Sequence, residues 1–404
     1  MPRAHRLPLP ASPPEPARLA SPLERGALEA LVARYGSPLM VIDCERIRAQ
    51  YRRLAAALPG VDLHYALKPL PEPAVVAALE QERAFFDLAS SGEVDLVRAA
   101  GVAPERCIHT HPMKRDADIR DALRYGVRTF VADNAEEIGK FVRHRKRAEL
   151  LIRVAFRATN AVCDLSRKFG CEPAAVPELL RVAAQMGVRV TGLSFHAGSQ
   201  AANPDMHVRA IEACGELIRA ARAAGHGGLE VLDIGGGFPV DYREPAMPIE
   251  EFCRPLRAAL AALPPGLRLI AEPGRFIAAP AGTCVATVVG RAIRDGQPWY
   301  YLDDGLYGSF SGQLFDHARF RIDSLGRDGE RQPSVLAGPT CDSIDVVAEQ
   351  LPLPRLEIGD LVVGHDMGAY CSASATDFNF IRRARVIAVN RESAEATVVA
   401  LRLR

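Results

Sequence analysis

The chain has 404 residues, 48% hydrophobic and 25% charged, with a formal net charge of +1. That length suits two domains, and the composition is ordinary for a soluble globular protein. The near-zero charge excludes a bulk field that would favour nucleic acid or an acidic membrane, and no apolar run approaches the roughly 18 residues of a membrane span.

In chain order, residues 1–24 open with MPRAHRLPLPASPPEPARLASP, rich in Pro and Ala. They lack the continuous apolar core of a signal peptide and are expected to form a disordered tail. Residues 25–43 are expected to pack on the C-terminal domain. From residue 61 onward, strand-like runs recur at 62–68, 84–90, 106–112, 127–134, 149–156, 190–199, 229–237 and 267–275. Between them lie segments with apolar residues three and four apart, such as PEPAVVAALEQE and GEVDLVRAAG, several ending in Gly. Eight alternations predict a parallel (β/α)8 barrel over 44–278, with a doubly wound open sheet as the alternative. After residue 280 the runs turn β-branched and lose helical period, as in AGTCVATVVGRAI, GDLVVGHDMGAY and EATVVALRLR. A mostly antiparallel β domain is expected over 279–404.

Nine cysteines, an odd number with no pair at CxxC spacing, argue against a disulfide framework and a zinc site. A reducing cytoplasm fits them, most as small core residues, and no metal is expected.

In such a barrel functional side chains stand at the C-terminal ends of strands. Those ends carry Lys68, Asp87, His109, His111, Asp133, Arg153, His196 with Ser199, Gly235, Gly236 and Gly237, and Glu272 with Arg275. A lysine closing a strand is ordinarily a solvated end residue whose stem covers apolar surface. On this rim it would instead face the cluster, where a desolvated amine can form a Schiff base. The GGG turn and the AEPGRF segment at 271–276 together suit one phosphate group. Neither matches a dinucleotide fingerprint or a P-loop, so the phosphate is expected on a small cofactor. A lysine, a phosphate cup and a carboxylate fit pyridoxal phosphate. Spacing alone leaves His196 more often structural than catalytic.

The motifs YALKP, FDLASSGEVDLV, NAVCDLSRKFG, SFHAGSQ, LDIGGGFP, EPGRF, DDGLYGSFSGQLFDHARF, GPTCDSID and MGAY stand in this order between about residues 36 and 390. With them the chain resembles the fold-type III pyridoxal-phosphate decarboxylases that act on ornithine, diaminopimelate or arginine, nearest the ornithine branch. The resemblance implies an alanine-racemase-like barrel, a β domain and a cytoplasmic homodimer with shared active sites. It makes Lys68 the cofactor lysine and His196 the histidine stacked on the cofactor ring. It places Asp87, Glu93 and Arg153 around the cofactor and Glu272 on its pyridine nitrogen. Ser199, Gly236, Gly274, Arg275 and Tyr370 match the phosphate cradle. Cys341 and Asp342 match a pair contributed by the second subunit, the cysteine being linked to protonation of the product carbanion. Tyr307, Asp316 and Phe378 match residues bordering the substrate.

Asp342 and Asp316 would accept the distal ammonium of ornithine or lysine. Diaminopimelate users carry an Asn-Asp-x-x-Arg-Pro segment and a Cys-Glu-Ser; this chain has GLYGSFSG and CDS there. The expected reaction is therefore ornithine to putrescine, with lysine to cadaverine possible, in polyamine synthesis. Ornithine and lysine differ by one methylene, worth only ~1–3 kcal/mol in a pocket, so sequence leaves the two open. ATDFNF, at 375–380, lacks the glycine usual after its asparagine. An inactive binding homologue and a racemase are the competing readings, with decarboxylation of another diamino acid such as meso-diaminopimelate as the alternative substrate. The first would have lost Lys68, Arg275, Tyr370 or Cys341, and the second would need another base. No nucleic-acid or membrane partner is expected.

Overall fold

The computed structural model describes residues 23–156 and 167–392, and the backbone alone of 161–163. The tail through residue 22, positions 160 and 164–166 of NAVCDLSRKFG, and the terminal EATVVALRLR lie outside those residues.

The described chain begins with helix α1 (Arg25–Tyr35) and strand β1 (Leu39–Asp43). Asp43 caps the next helix, α2 (Cys44–Ala57), by accepting the Glu45 N–H at 3.1 Å. There follow β2 (Val61–Ala66), α3 (Pro73–Gln81), β3 (Phe85–Leu88), α4 (Ser91–Ala99), β4 (Cys107–His109), β5 (Thr129–Ala132), β6 (Glu149–Val154), β7 (Ala161–Cys163), β8 (Val190–Phe195), β9 (Ser199–Ala201), β10 (Val231–Asp233) and β11 (Arg268–Ala271). Strands β2, β3, β4, β5, β6, β8, β10 and β11 are parallel neighbours, and β11 pairs back onto β2 to close a barrel. The closed ring excludes the open sheet. β7 and β9 form a separate antiparallel pair.

Five of the six β2 residues are buried. Alternation gives way to near-continuous burial because the inner face packs the barrel core and the outer face meets helices. The strand stops at Ala66, two residues short of the expected end. Leu67 donates to Asp87 O at 3.3 Å, and Leu70 then turns back to Leu67 O at 3.0 Å. Lys68 sits in that turn rather than on the strand.

The β domain follows: β12 (Gly282–Arg294), β13 (Gln297–Leu302), β14 (Arg321–Leu325), β15 (Gln332–Ala337), β16 (Val346–Leu353), β17 (Leu361–His365) and β18 (Arg385–Val389). The sheet runs β14-β17-β12-β13-β15-β16, with β1 bridging β12 and β18. Most of its pairings are antiparallel; β1 with β18 and β13 with β15 are parallel. Asp295 and Gly296, both at positive φ (50° and 77°), make the tight turn between β12 and β13. Leu28 and Leu31 of α1 share a small core with Leu39, Val41, Val285, Val363 and Val389.

The two domains meet at the rim. Within the β domain Met367 donates to Gly282 O at 2.9 Å and Gly368 to Ala279 O at 3.0 Å, and Tyr370 crosses to the barrel, donating to Pro69 O at 2.9 Å. The loop after β17 is thereby fastened to the turn that carries Lys68. No helix among the described residues is long and apolar enough to cross a membrane.

Candidate active site

Lys68 lines a cavity of about 260 Å³ together with His196, Glu272, Arg275, Asp316 and Tyr370. Its side chain is 43% exposed, and its Nζ lies 3.7 Å from Oδ2 of Asp87, which is 2% exposed. Asp87 also accepts the Thr110 hydroxyl at 2.5 Å. Burial, then the neighbouring Glu272, push the Asp87 carboxyl up to about 7 against the pull of Lys68. Burial disfavours the Lys68 ammonium, but Asp87, Tyr370 and Glu272 together hold it above its ordinary value. The lysine is thus charged, and its proton has a poised carboxylate beside it.

Glu272 follows β11 and donates its N–H to Gly235 O at 2.8 Å. Its carboxyl hydrogen-bonds Asp233 at the end of neighbouring β10. Burial and the second carboxyl raise Glu272 well above the carboxylate range, and burial raises Asp233 to about 6. Glu272 therefore keeps a proton and donates it to Asp233, whose Oδ1 accepts the Gly235 N–H at 2.9 Å.

Arg275, 6% exposed, donates to the Tyr242 hydroxyl at 2.8 Å and to Ser199 Oγ at 2.9 Å. It also pairs with Asp316 Oδ2 at 2.5 Å and lies 4.8 Å from the Tyr370 ring centre. Its Nε is buried with no partner among the described residues. Gly235 and Gly237 turn the chain with φ of 68° and 97°. A Cβ on Gly236 would stand 2.7 Å from Glu272 O and 3.3 Å from His196 Nε2, so only glycine fits against this wall. A Cβ on Gly274 would lie 2.7 Å from Pro69 Cγ, so this glycine packs against the lysine turn. His196 Nδ1 accepts the Gly198 N–H at 3.1 Å, and burial, Arg153 and Lys68 hold its ring neutral. Arg153, on β6, is also depressed by burial and lies within the field of Glu272 and Asp87.

Glu93 plays a local part. Ser90 caps α4, and Glu93 Oε2 accepts the Ala89 N–H at 2.6 Å. Burial raises its carboxyl to about 7. Two of the strand-end histidines stand apart from the rim chemistry. His109 is fully buried and stacks on Phe130 at 5.7 Å, while His111 Nδ1 accepts the Met113 N–H at 3.1 Å. Asp133 Oδ2 accepts the Gly170 N–H at 2.8 Å.

Cys341, Asp342, Tyr307 and Phe378 form a second cluster, in the β domain, and none of them lines the Lys68 cavity. Phe378 stacks on Tyr307 with ring centres 4.5 Å apart, and the Tyr307 hydroxyl donates to Asp342. That bond lowers the Asp342 carboxyl. Cys341 is exposed, and its N–H donates to Asn379 Oδ1 at 3.1 Å. Six of the other seven described cysteines are buried, so this thiol is set apart by exposure. The sequence paired Asp316 with Asp342; within one chain Asp316 stands against Arg275 instead.

Four supporting residues escaped the sequence reading. Asp233 and Tyr242 are described above. His207 is fully buried and shares a 2.9 Å hydrogen bond with Gly236 O, propping the glycine turn. Asp345, 3% exposed, accepts from Leu306 N at 2.7 Å, Thr340 N at 3.1 Å and Thr340 Oγ1 at 2.7 Å. It ties the Tyr307 loop to the Cys341 loop. A larger cavity of about 660 Å³, lined by Arg243, Arg319, Arg321 and Val347, lacks the lysine and buried carboxylates; chemistry rather than size selects the Lys68 site.

A lysine, a proton-bearing carboxyl, a neutral imidazole and an arginine with a free buried donor on one barrel rim define a site for a phosphorylated pyridine cofactor. Residues 44–279 match the family described as pyridoxal-dependent decarboxylase, pyridoxal binding domain. The chain belongs to this family of pyridoxal-phosphate-dependent decarboxylases. It is 34% identical over 358 residues to a lysine/ornithine decarboxylase of Selenomonas ruminantium, covering 88% of this chain and 91% of that protein. It is 34% identical to an ornithine decarboxylase of Caenorhabditis elegans over 362 residues, covering 85% of each. The fold matches the crystal structure of a Vibrio vulnificus lysine/ornithine decarboxylase complexed with putrescine. That match has a TM-score of 0.88 and 52% identity, and covers 93% of this chain and all of that one.

Proposed function

We propose that the protein decarboxylates a basic L-amino acid, L-ornithine to putrescine and with it L-lysine to cadaverine, as a homodimer whose sites are built from both subunits. The observation that carries this reading is Asp342. Its carboxylate, held ionised by Tyr307, stands beside the exposed Cys341 outside the lining of its own Lys68 cavity. A carboxylate there suits a substrate ending in an ammonium group. The relatives named for lysine and ornithine, and the Vibrio vulnificus structures with putrescine and with cadaverine, support the same substrate class.

Bound pyridoxal phosphate supplies the electron sink for the charge left at Cα when CO2 departs. Lys68 would hold the cofactor, with the Asp87 carboxylate 3.7 Å from its Nζ to orient the amine. Glu272, which keeps its proton beside Asp233, would hold the pyridine end of the cofactor and could share that proton there. Ser199, the turn at Gly235, Gly236 and Gly237, Gly274, Arg275 and Tyr370 would receive the phosphate. His196, held neutral, would adjoin the cofactor without opposing a positive charge on it. Arg153 and Glu93 set the charge around it. The partner's copy of the Cys341 thiol returns a proton to Cα. Asp342 with Asp316 receives the distal ammonium, with Tyr307 and Phe378 bordering it. The free thiols suit a reducing cytoplasm.

Cofactor-loaded protein given L-ornithine, L-lysine, L-arginine and meso-diaminopimelate separately tests this. Putrescine or cadaverine should form, with turnover falling by on the order of 10³-fold or more in Lys68→Ala. Release of CO2 from meso-diaminopimelate but from neither ornithine nor lysine overturns the substrate assignment.

A further inference from the structure

A second cavity, of about 430 Å³, opens between the two domains. Its walls come from α2, from the loop that runs on from the Gly237 turn, and from the β domain. Four guanidinium groups line it: Arg46 and Arg53 on α2, Arg243 on the loop and Arg321 on β14. Two of them are neutralised within the chain. Arg53 donates twice to Glu250, at 2.7 and 2.9 Å, and Arg321 pairs with Asp366 at 2.6 Å. The other acid of the lining, Asp241, accepts the Ala246 N–H at 2.8 Å.

Arg46 and Arg243 have no side-chain partner among the described residues. The contrast along α2 is sharp, since Arg48, Arg52 and Arg53 each pair with a glutamate while the half-buried Arg46 does not. A charge taken partly out of water without a counter-ion is costly, and an anion in the cleft would offset that cost. The loop is already held in place. Val240 donates to Gln200 Oε1 at 3.1 Å and accepts from its Nε2 at 2.6 Å, and Arg243 N donates to Arg319 O at 2.8 Å. Buried Val240, Ile249 and Phe276 and the exposed Met247 add an apolar wall. The larger cavity of about 660 Å³ shares Arg243 and Arg321 but lacks Arg46 and has Glu349 in its wall, which disfavours an anion there.

Two unmatched positive charges, a volume far above that of an inorganic ion and an apolar wall together describe an organic anion. A phosphate monoester carries close to two negative charges at neutral pH, and the planar fork of arginine matches its oxygens. We propose that this interdomain cleft binds a phosphorylated small organic molecule, with Arg46 and Arg243 taking its phosphate and Met247 and Phe276 its organic part. The site goes beyond the decarboxylase reading and stands whichever amino acid the Lys68 cavity takes. Tyr242 joins the two places, since it lines the cleft and its hydroxyl accepts from Arg275.

The test is titration calorimetry on the full-length protein loaded with pyridoxal phosphate, so that the cradle at Arg275 is filled, in phosphate-free buffer. AMP and glucose 6-phosphate are the probes, adenosine is the uncharged control, and wild type is compared with Arg46→Gln and Arg243→Gln. At least one ester should bind wild type once per chain with a Kd of about 1 mM or tighter. Each substitution should weaken that binding by about tenfold or more, with turnover in the absence of ester retained as the sign of an intact fold and rim. Failure of both esters to bind wild type overturns the proposal. Affinities within twofold of wild type in both variants overturn it as well, because the phosphate would then sit elsewhere. Adenosine binding as tightly as AMP also overturns it, because the phosphate would not be what the cleft recognises.

Discussion

On the barrel rim, charge stands where water is scarce. Asp87, Asp233, Glu272 and Arg275 are each less than a tenth exposed, and each leans on another charged or polar group of the same chain. On the β-domain knob the reverse holds: Cys341 lies open, and Asp342 is held by the Tyr307 hydroxyl and the Ile344 N–H with no cation beside it among the described residues. The rim is fixed by strand ends and by backbone bonds such as Glu272 N to Gly235 O. The knob is fixed by loops that meet through side chains. The rim can hold a cofactor and set its charge within one chain. The knob has an acid and a carboxylate but no reacting centre of its own. On the proposed shared-site reading, the partner subunit's rim completes it.

The widest break in this comparison would come from separating the two halves. Lys68→Ala should abolish turnover through the rim, and Cys341→Ala should impair it through the knob. Mixed and allowed to exchange, the two variants should regain about a quarter of fully wild-type sites, the share expected for random pairing across a symmetric interface. Activity assayed on isolated heterodimers checks this; none in confirmed heterodimers would mean that each chain uses its own Cys341.

A smaller effect should fall on the knob alone. Asp345→Ala strips the acceptor from Leu306 N, Thr340 N and Thr340 Oγ1, two of them backbone donors next to the Tyr307 and Cys341 segments. Leaving buried donors unpaired costs about 1–3 kcal/mol each at most, and roughly 2–4 kcal/mol in all is expected once the loops relax. Urea titration should show the loss. Cofactor affinity should change little, because the rim keeps its own scaffold, while turnover drops as Cys341 and Asp342 lose their register. Loss of cofactor binding in parallel with turnover would show that the two regions are one unit.

The same contrast governs what was legible in the sequence. Each barrel strand announces itself as an apolar run ended by a polar or glycine residue, because eight repeats of one unit leave a strong pattern. The rim residues were legible with them, since they occupy the strand ends. Lys68 itself was misplaced by two residues, as the pattern Leu67-Lys68-Pro69 does not say where the ladder stops. Asp233 and His207 were passed over because their meaning depends on a neighbour across the barrel, Glu272 in one case and the Gly236 carbonyl in the other. The knob is built from loops near residues 307, 341 and 379, and no local periodicity links them. Only the resemblance pointed to Cys341 and Asp342. Nothing local exposed the Asp345 clasp, and the missing glycine was the sole trace of the left-handed backbone at Asn379 and Phe380.

The finest test lies back on the rim, in the proton that Glu272 shares with Asp233. A carboxyl in the unfolded chain releases its proton near pH 4, whereas Asp233 in the fold holds on to about 6 and Glu272 higher still. Above pH 4 the folded protein therefore binds more protons than the unfolded one, so this pair destabilises the cofactor-free fold as pH rises through that window. Buried histidines act oppositely on acidification: His207 is depressed to about 4, and His64 and His109 to about 3. They stay neutral in the fold and charge in the unfolded chain below about pH 6.5, so they pull stability down on the acid side. A single pH curve would blur the two, but the histidines are common to wild type and Asp233→Asn. The asparagine side chain can still accept the Gly235 N–H, and its amide can donate to an ionised Glu272. The difference in Tm, variant minus wild type, should accordingly widen from about pH 5 to pH 7.5 and flatten below about pH 4. It should correspond to on the order of 1–2 kcal/mol at its largest, the worth of one or two pKa units. A difference independent of pH would mean that the two carboxyls titrate separately, and Glu272 would then be an ordinary carboxylate before any cofactor arrives.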